Sequence, residues 1–184
     1  KLRCFMKKKF QGSFTQQESL PEEAIEAAVK VMRHGRLHRY NVAENETSEV
    51  ALFEQDFANK FGAKFCLACA SGGYAMTTAL RAMGIEFGDK ILTNGFTLAP
   101  VPGAIAAAGG EVVFVEVNDD LLIDLNDLER KIISSNSKVL LLSHMRGHIC
   151  DMDLLMSLCG KYGVKVVEDC AHTMGAKWNK KWSG

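Results

Sequence analysis

The chain has 184 residues, 47% of them hydrophobic, enough to bury a core and to form one domain or most of one. Its 22 basic residues balance 22 acidic ones, so the overall basic footprint of a nucleic-acid binder is missing, and the one basic cluster, in residues 1–9, reads as a solvated terminal segment. No apolar run approaches the roughly 20 residues of a membrane span and the first residues lack the apolar core of a signal peptide, so a cytoplasmic protein is expected.

The first helix is expected after Ser19-Leu20-Pro21-Glu22, which has the form of a capping box. Ile25, Ala28, Val29 and Met32 then recur at helical spacing until Gly35 can end the helix. Residues 35–47 are polar and weakly patterned, the segment expected to be flexible; Asn45-Glu46-Thr47 inside it is a glycosylation sequon by pattern only. A second helix carries Val50, Phe53 and Phe57 and stops near Gly62.

From there the pattern alternates. Strands are expected near 65–69, 90–93, 112–117, 138–143 and 164–168, with helices near 74–83, 100–108, 124–134 and 151–162 between them. Asp124 can cap the third of these helices, Gly109-Gly110 can turn the chain into a strand, and Val139-Leu140-Leu141-Leu142 is continuous enough to be buried on both faces. This rhythm predicts an α/β fold with a mostly parallel, doubly wound sheet.

Six cysteines, Cys4, Cys66, Cys69, Cys150, Cys159 and Cys170, are expected to be reduced in a cytosolic chain. Cys66 and Cys69 have CxxC spacing. Both lie in what reads as a buried strand and no second pair completes a tetrahedral metal site, so they are read as small core residues.

Two places carry chemistry. Residues 164–172, Val-Lys-Val-Val-Glu-Asp-Cys-Ala-His, deliver a carboxylate, Asp169, to the end of a β-branched strand, where ligands of α/β sheets bind. Ser71-Gly72-Gly73 follows the 65–69 segment and opens a helix, an arrangement whose free backbone N–H groups can hold a phosphate. Together they suggest a phosphorylated cofactor with a basic ring nitrogen. The plainer readings are a helix cap or turn residue for Asp169 and a structural histidine for His172.

The ordered set Cys69-Ala70-Ser71-Gly72-Gly73, Gly88-Asp89-Lys90, Phe96-Thr97-Leu98-Ala99, Gly109-Gly110-Glu111-Val112, Ser143-His144-Met145-Arg146-Gly147-His148, Asp151-Met152-Asp153 and Glu168-Asp169-Cys170-Ala171-His172 resembles the DegT/DnrJ/EryC1/StrS sugar aminotransferases. These are pyridoxal-phosphate enzymes of the aspartate-aminotransferase fold type. The resemblance implies that Asp169 keeps the pyridine nitrogen of pyridoxal 5′-phosphate protonated, with His172 near the phenolic oxygen. It implies that Ser71, Gly72 and Gly73 hold the phosphate. Many relatives carry Gly-Thr where this chain has Gly72-Gly73, so one hydroxyl is missing and main-chain donors remain. Either Phe96 or Leu98 would cover the cofactor ring.

The lysine that forms the Schiff base lies later in the family, beyond the position of Gly184; Lys177, Lys180 and Lys181 come too early and read as an exposed hairpin edge. The chain is therefore expected to comprise an extension at 1–18 and an incomplete cofactor-binding large domain at 19–184, without the C-terminal small domain. Such a chain should not transaminate alone. Arg36, Arg39, Arg146 and His148 are candidates for the substrate, with a solvated basic loop the competing reading for the first two. By resemblance the amino donor is glutamate or glutamine, the acceptor a keto-sugar or keto-cyclitol, and the assembly a homodimer or a pairing with a second chain that supplies the missing half. A non-catalytic protein that retains the cofactor pocket is the alternative. A dinucleotide-binding dehydrogenase is disfavoured because no GxGxxG follows the first strand.

Overall fold

The computed structural model describes Gly12 and residues 17–184; Cys4 and the basic cluster at 1–9 lie outside them. The chain divides into two compact units, one ending at Phe53 and one running from Glu54 to Gly184.

The first unit contains α1 (Glu22–His34) and the start of α2 (Glu49–Phe61). Helix α1 ends at Gly35, whose left-handed φ of 71° lets its N–H bond Val31 O. Its start differs from expectation. Pro21 occupies the cap position, no side chain caps the helix, and Ser19 is two residues too early to close a capping box. The cause is local: the proline ring forces the preceding residue out of the helical region, so the helix begins only at Glu22. Within the 35–47 segment, Arg36 Nη2 donates to both carboxylate oxygens of Glu46 at 2.9 and 2.8 Å, and Ala43 N–H donates to the same group at 3.0 Å.

The second unit is built on β1 (Lys90–Asn94), β2 (Glu111–Val115), β3 (Val139–Ser143) and β4 (Lys165–Asp169). All pair in parallel, in the spatial order β2-β1-β3-β4. Helices α3 (Gly72–Ala82) and α4 (Pro100–Ala108) cover one face, and α5 (Leu125–Ser135) and α6 (Met152–Tyr162) the other. The two-residue period of β3 shows why this sheet needs both layers. Leu140 and Leu142 pack with Leu128, Ile132, Leu155 and Cys159, while Val139 and Leu141 pack with Leu80, Val101 and Ile105. As expected, Asp124 caps α5, accepting from the N–H groups of Asn126 and Asp127. Lys177–Trp178 and Lys181–Trp182 form the expected hairpin, turned by left-handed Asn179 and Lys180.

One expected strand does not form. Residues 65–69 take no regular secondary structure and have no ladder partner among the described residues. Ala68 N–H instead donates to the Glu54 carboxylate at 2.7 Å. Phe65 is 81% exposed, and Cys66 and Cys69 are half-buried rather than core residues. Local β-propensity cannot report whether a neighbouring strand is present, and without one the backbone turns to a side chain for its hydrogen bond.

Cys150 and Cys159 do join the core, and burial pushes both thiols up to about 11. The fold therefore favours their protonated form. Stability from this source is full below pH 9.0, the ordinary value, and is lost as pH rises toward about 11. Urea midpoints should fall over that alkaline window, and a Cys150→Ala/Cys159→Ala variant should show a flatter decline.

Candidate functional site

The carboxyl end of the sheet has a point where the winding reverses. From β1 the chain passes through α4 to β2 on one side; from β3 it passes through α6 to β4 on the other, with the two helices on opposite faces. Crevices outside strand ends at such a reversal are where open α/β sheets bind ligands. Here Asn94, only 3% exposed, clasps the ends of β1 and β3. Its Nδ2 donates to Phe96 O at 2.9 Å and Ser143 O at 3.1 Å, and its Oδ1 accepts from Ser143 N–H at 2.9 Å.

Ser143 then links the clasp to β4. It stands opposite Asp169 in the ladder, and its hydroxyl donates to Asp169 Oδ2 at 3.0 Å. Asp169 Oδ1 accepts from Ala171 N–H at 3.2 Å. The half-buried carboxylate is thus held from two sides, and each oxygen keeps a lone pair for a further donor. Sequence reasoning put Asp169 at this strand end, where β4 does end, and did not single out Asn94 or Ser143. The signal that existed was a polar residue closing each of two apolar strands.

His172 and Arg146 are brought together, but not through the guanidinium. Arg146 sits in a single 3₁₀ turn after β3 with φ 58°, and its main-chain N–H donates to His172 Nδ1 at 3.1 Å. An imidazole that accepts at Nδ1 in its neutral form carries its proton on Nε2, so His172 keeps one outward donor. His148 contacts Asp120 O through Nδ1 at 3.1 Å and lies edge-on to Phe96, ring centroids 6.4 Å apart. Leu98, two residues beyond Phe96 and just before α4, is 49% exposed. Arg36 and Arg39 belong to the first unit, where Arg36 is engaged by Glu46.

The start of α3 has the donors and the room with which a helix N-terminus can hold an anion. Ser71 is extended at the cap position, its Oγ accepting from Tyr74 N–H at 3.2 Å. The N–H groups of Gly72 and Gly73, first in the helix, have no carbonyl one turn earlier to bond. A side chain added at Gly72 would meet nothing within 4 Å, and one at Gly73 would meet only Pro100 Cβ at 4.0 Å, so space lies beside both donors. Helix α3 packs against β4. Ser71 and Gly72 open with Glu168 and Cys170 onto a cleft of about 710 Å³, whose apolar wall includes Phe61 and Trp182.

With this geometry in view, comparisons with known proteins point one way. The profile of the DegT/DnrJ/EryC1/StrS aminotransferase family matches residues 18–184. A dTDP-3-amino-3,6-dideoxy-alpha-D-galactopyranose transaminase of Aneurinibacillus thermoaerophilus is 38% identical over 137 residues, 74% of this chain and 38% of that protein. A UDP-2-acetamido-2-deoxy-3-oxo-D-glucuronate aminotransferase of Pseudomonas aeruginosa is 30% identical over 169 residues, 91% of this chain and 45% of that protein. The crystal structure of an aminotransferase from Psychrobacter cryohalolentis superposes with a TM-score of 0.83 at 25% identity, covering 94% of this chain and 42% of the other. The chain spans less than half the length of each.

The Asn94 clasp makes a prediction about stability. Asn94→Ala removes three hydrogen bonds in a largely buried place and should cost about 2–4 kcal/mol, at a net of about 0.5–1.5 kcal/mol for each. Denaturant unfolding of the variant checks it.

Proposed function

The chain belongs to the DegT/DnrJ/EryC1/StrS aminotransferase family, and on that premise we propose that its second unit is the part of a sugar aminotransferase that binds the cofactor. Pyridoxal 5′-phosphate is the cofactor of that family, and the fold is that of the fold type I aminotransferases. The residues present fit the group. The open helix start offers main-chain donors and room for a phosphate, Asp169 offers free lone pairs, and Thr97 Oγ1, between β1 and α4, is buried with no hydrogen-bond partner. The carrying observation is the carboxylate of Asp169, fixed by Ser143 Oγ and Ala171 N–H at the sheet's carboxyl end.

When bound, the cofactor supplies an electron sink for the carbon that loses or gains the amino group. Everything else is the work of this chain. Ser71, Gly72 and Gly73 would hold the phosphate through the first N–H groups of α3, with the helix dipole favouring the negative charge. Asp169 would hold a proton at the ring nitrogen, and Ser143 and Asn94 keep that carboxylate in place. His172 would donate from Nε2, its tautomer set by Arg146 N–H. Either Leu98 or Phe96, whose ring lies edge-to-face with His148, would cover the ring.

The substrates proposed are glutamate or glutamine as donor and a keto-sugar or keto-cyclitol as acceptor, in line with the names of the relatives. Arg36, Arg39, Arg146 and His148 remain the substrate candidates, and a homodimer, or a pairing with a second chain, the proposed assembly. The Schiff-base lysine is proposed to come from polypeptide other than these 184 residues. Lys177, Lys180 and Lys181 lie on the hairpin, with Lys177 Nζ 3.9 Å above the Trp182 ring.

Titration of this chain with pyridoxal 5′-phosphate should give saturable, dialysable binding and, after borohydride reduction, no stoichiometric adduct. Asp169→Ala should weaken binding about ten- to a hundredfold, the range of one hydrogen bond to a charged group. Stoichiometric reduction onto one lysine of this chain would place the catalytic lysine here after all, and binding unchanged in Asp169→Ala would overturn the assignment of the site.

A further inference from the structure

The face of β4 that Asp169 does not use carries a second set of reactive side chains. Along β4, Val166 packs with the α5–α6 side and Val167 with the α3–α4 side. The alternation carries Glu168 to the same side as Val166 and Asp169 to the same side as Val167. Cys170, one step beyond the strand, returns to the side of Glu168. His144, the first residue after β3, joins them because its main-chain N–H bonds Asp169 O at 3.1 Å and so fixes the end of β3 against the end of β4.

His144 Nε2 lies 2.8 Å from Glu168 Oε2, and Cys170 Sγ completes a triad whose ligand atoms all lie within 4.8 Å of one another. His144 is 1% exposed; the other two are half-buried. We propose that His144, Glu168 and Cys170 form a binding site for a divalent cation of the zinc class, separate from the groups assigned to the cofactor.

Three physical arguments support this. The first is ligand chemistry: an imidazole nitrogen, a carboxylate oxygen and a thiolate sulfur suit zinc, whereas magnesium and calcium take oxygen ligands. The second is distance: bond lengths of about 2.0–2.3 Å at tetrahedral angles put ligand atoms about 3.3–3.7 Å apart, a spacing this cluster reaches with shifts of an ångström or so. The third is charge, since a neutral imidazole, a carboxylate and a thiolate cancel a divalent ion and leave no net charge at a half-buried site.

The surroundings suit an ion as well. Ser183 Oγ is 3.3 Å from Cys170 Sγ and 2.9 Å from Thr173 Oγ1, so a hydroxyl anchored by a threonine already orients the sulfur. Glu168, Cys170 and Ser183 all line the 710 Å³ cleft, which gives the ion a way in and leaves a fourth ligand position for water or the serine hydroxyl.

Cobalt(II) is the probe of choice, because thiolate coordination gives a charge-transfer band and tetrahedral geometry gives intense visible bands. The chain should bind one equivalent with both signatures, and zinc should displace it. Cys170→Ala should abolish the charge-transfer band, and Glu168→Gln should weaken binding about tenfold or more while keeping it. A Cys66→Ser/Cys69→Ser variant should bind as the wild type does, which separates this site from the CxxC pair. Three results would overturn the proposal: no thiolate band in the wild type, a band that survives in Cys170→Ala, or a band lost in Cys66→Ser/Cys69→Ser. Cys170→Ala removes one sulfur atom and adds no bulk, and urea unfolding verifies that it is folded.

Discussion

The parallel register that sets Ser143 opposite Asp169 is the constraint on which the second unit depends. A β-ladder cannot slip by one residue without turning every side chain to the other face, and β3 is apolar and buried on both faces. Burial of Leu140 and Leu142 against one helical layer, and of Val139 and Leu141 against the other, therefore does more than stabilise the core. It determines which polar residue emerges where the ladder ends. Asn94 and Ser143 emerge at β1 and β3 and bond each other, and the serine hydroxyl has Asp169 as its remaining partner.

The same register separates two chemistries across one strand. Asp169 faces the side of α3, the helix whose glycine start is open to an anion. Glu168 and Cys170, the alternate residues on either side of Asp169, meet His144 instead. A carboxylate meant to hold a proton on a ring nitrogen and a carboxylate bonded to a buried imidazole need different surroundings, and a two-residue period supplies them within three consecutive positions.

Much of this was legible in the order of the residues. The alternation of apolar runs with helical patterns gave the doubly wound sheet, the all-apolar 139–142 run gave the strand covered on both faces, and Asp124, Gly35 and Gly62 marked helix ends where the structure has them. Asp169 stood out because a charged residue at the end of a β-branched run is rarely there for packing. The hairpin lysines, too, sit where their spacing suggested. Two local readings failed for local and non-local reasons respectively. Ser19 resembled a cap, but the proline between it and the helix moved the boundary. Residues 65–69 resembled a strand, but a strand is defined by its neighbour, and none pairs with them among the described residues.

The sequence by itself determined the periodicities, the carboxylate at the strand end, the glycines at the helix start and the family they belong to, because each is written in residues close along the chain. Only the tertiary structure decided that Asn94 would hold Ser143, that Ser143 would hold Asp169, that Arg146 would act on His172 through its backbone, and that His144 would meet Glu168 and Cys170. Those partners are 24 to 49 positions apart in the hydrogen-bonded pairs. The physical reason is that a parallel sheet brings together residues separated by a whole crossover, and no local pattern records which two strand ends will lie side by side.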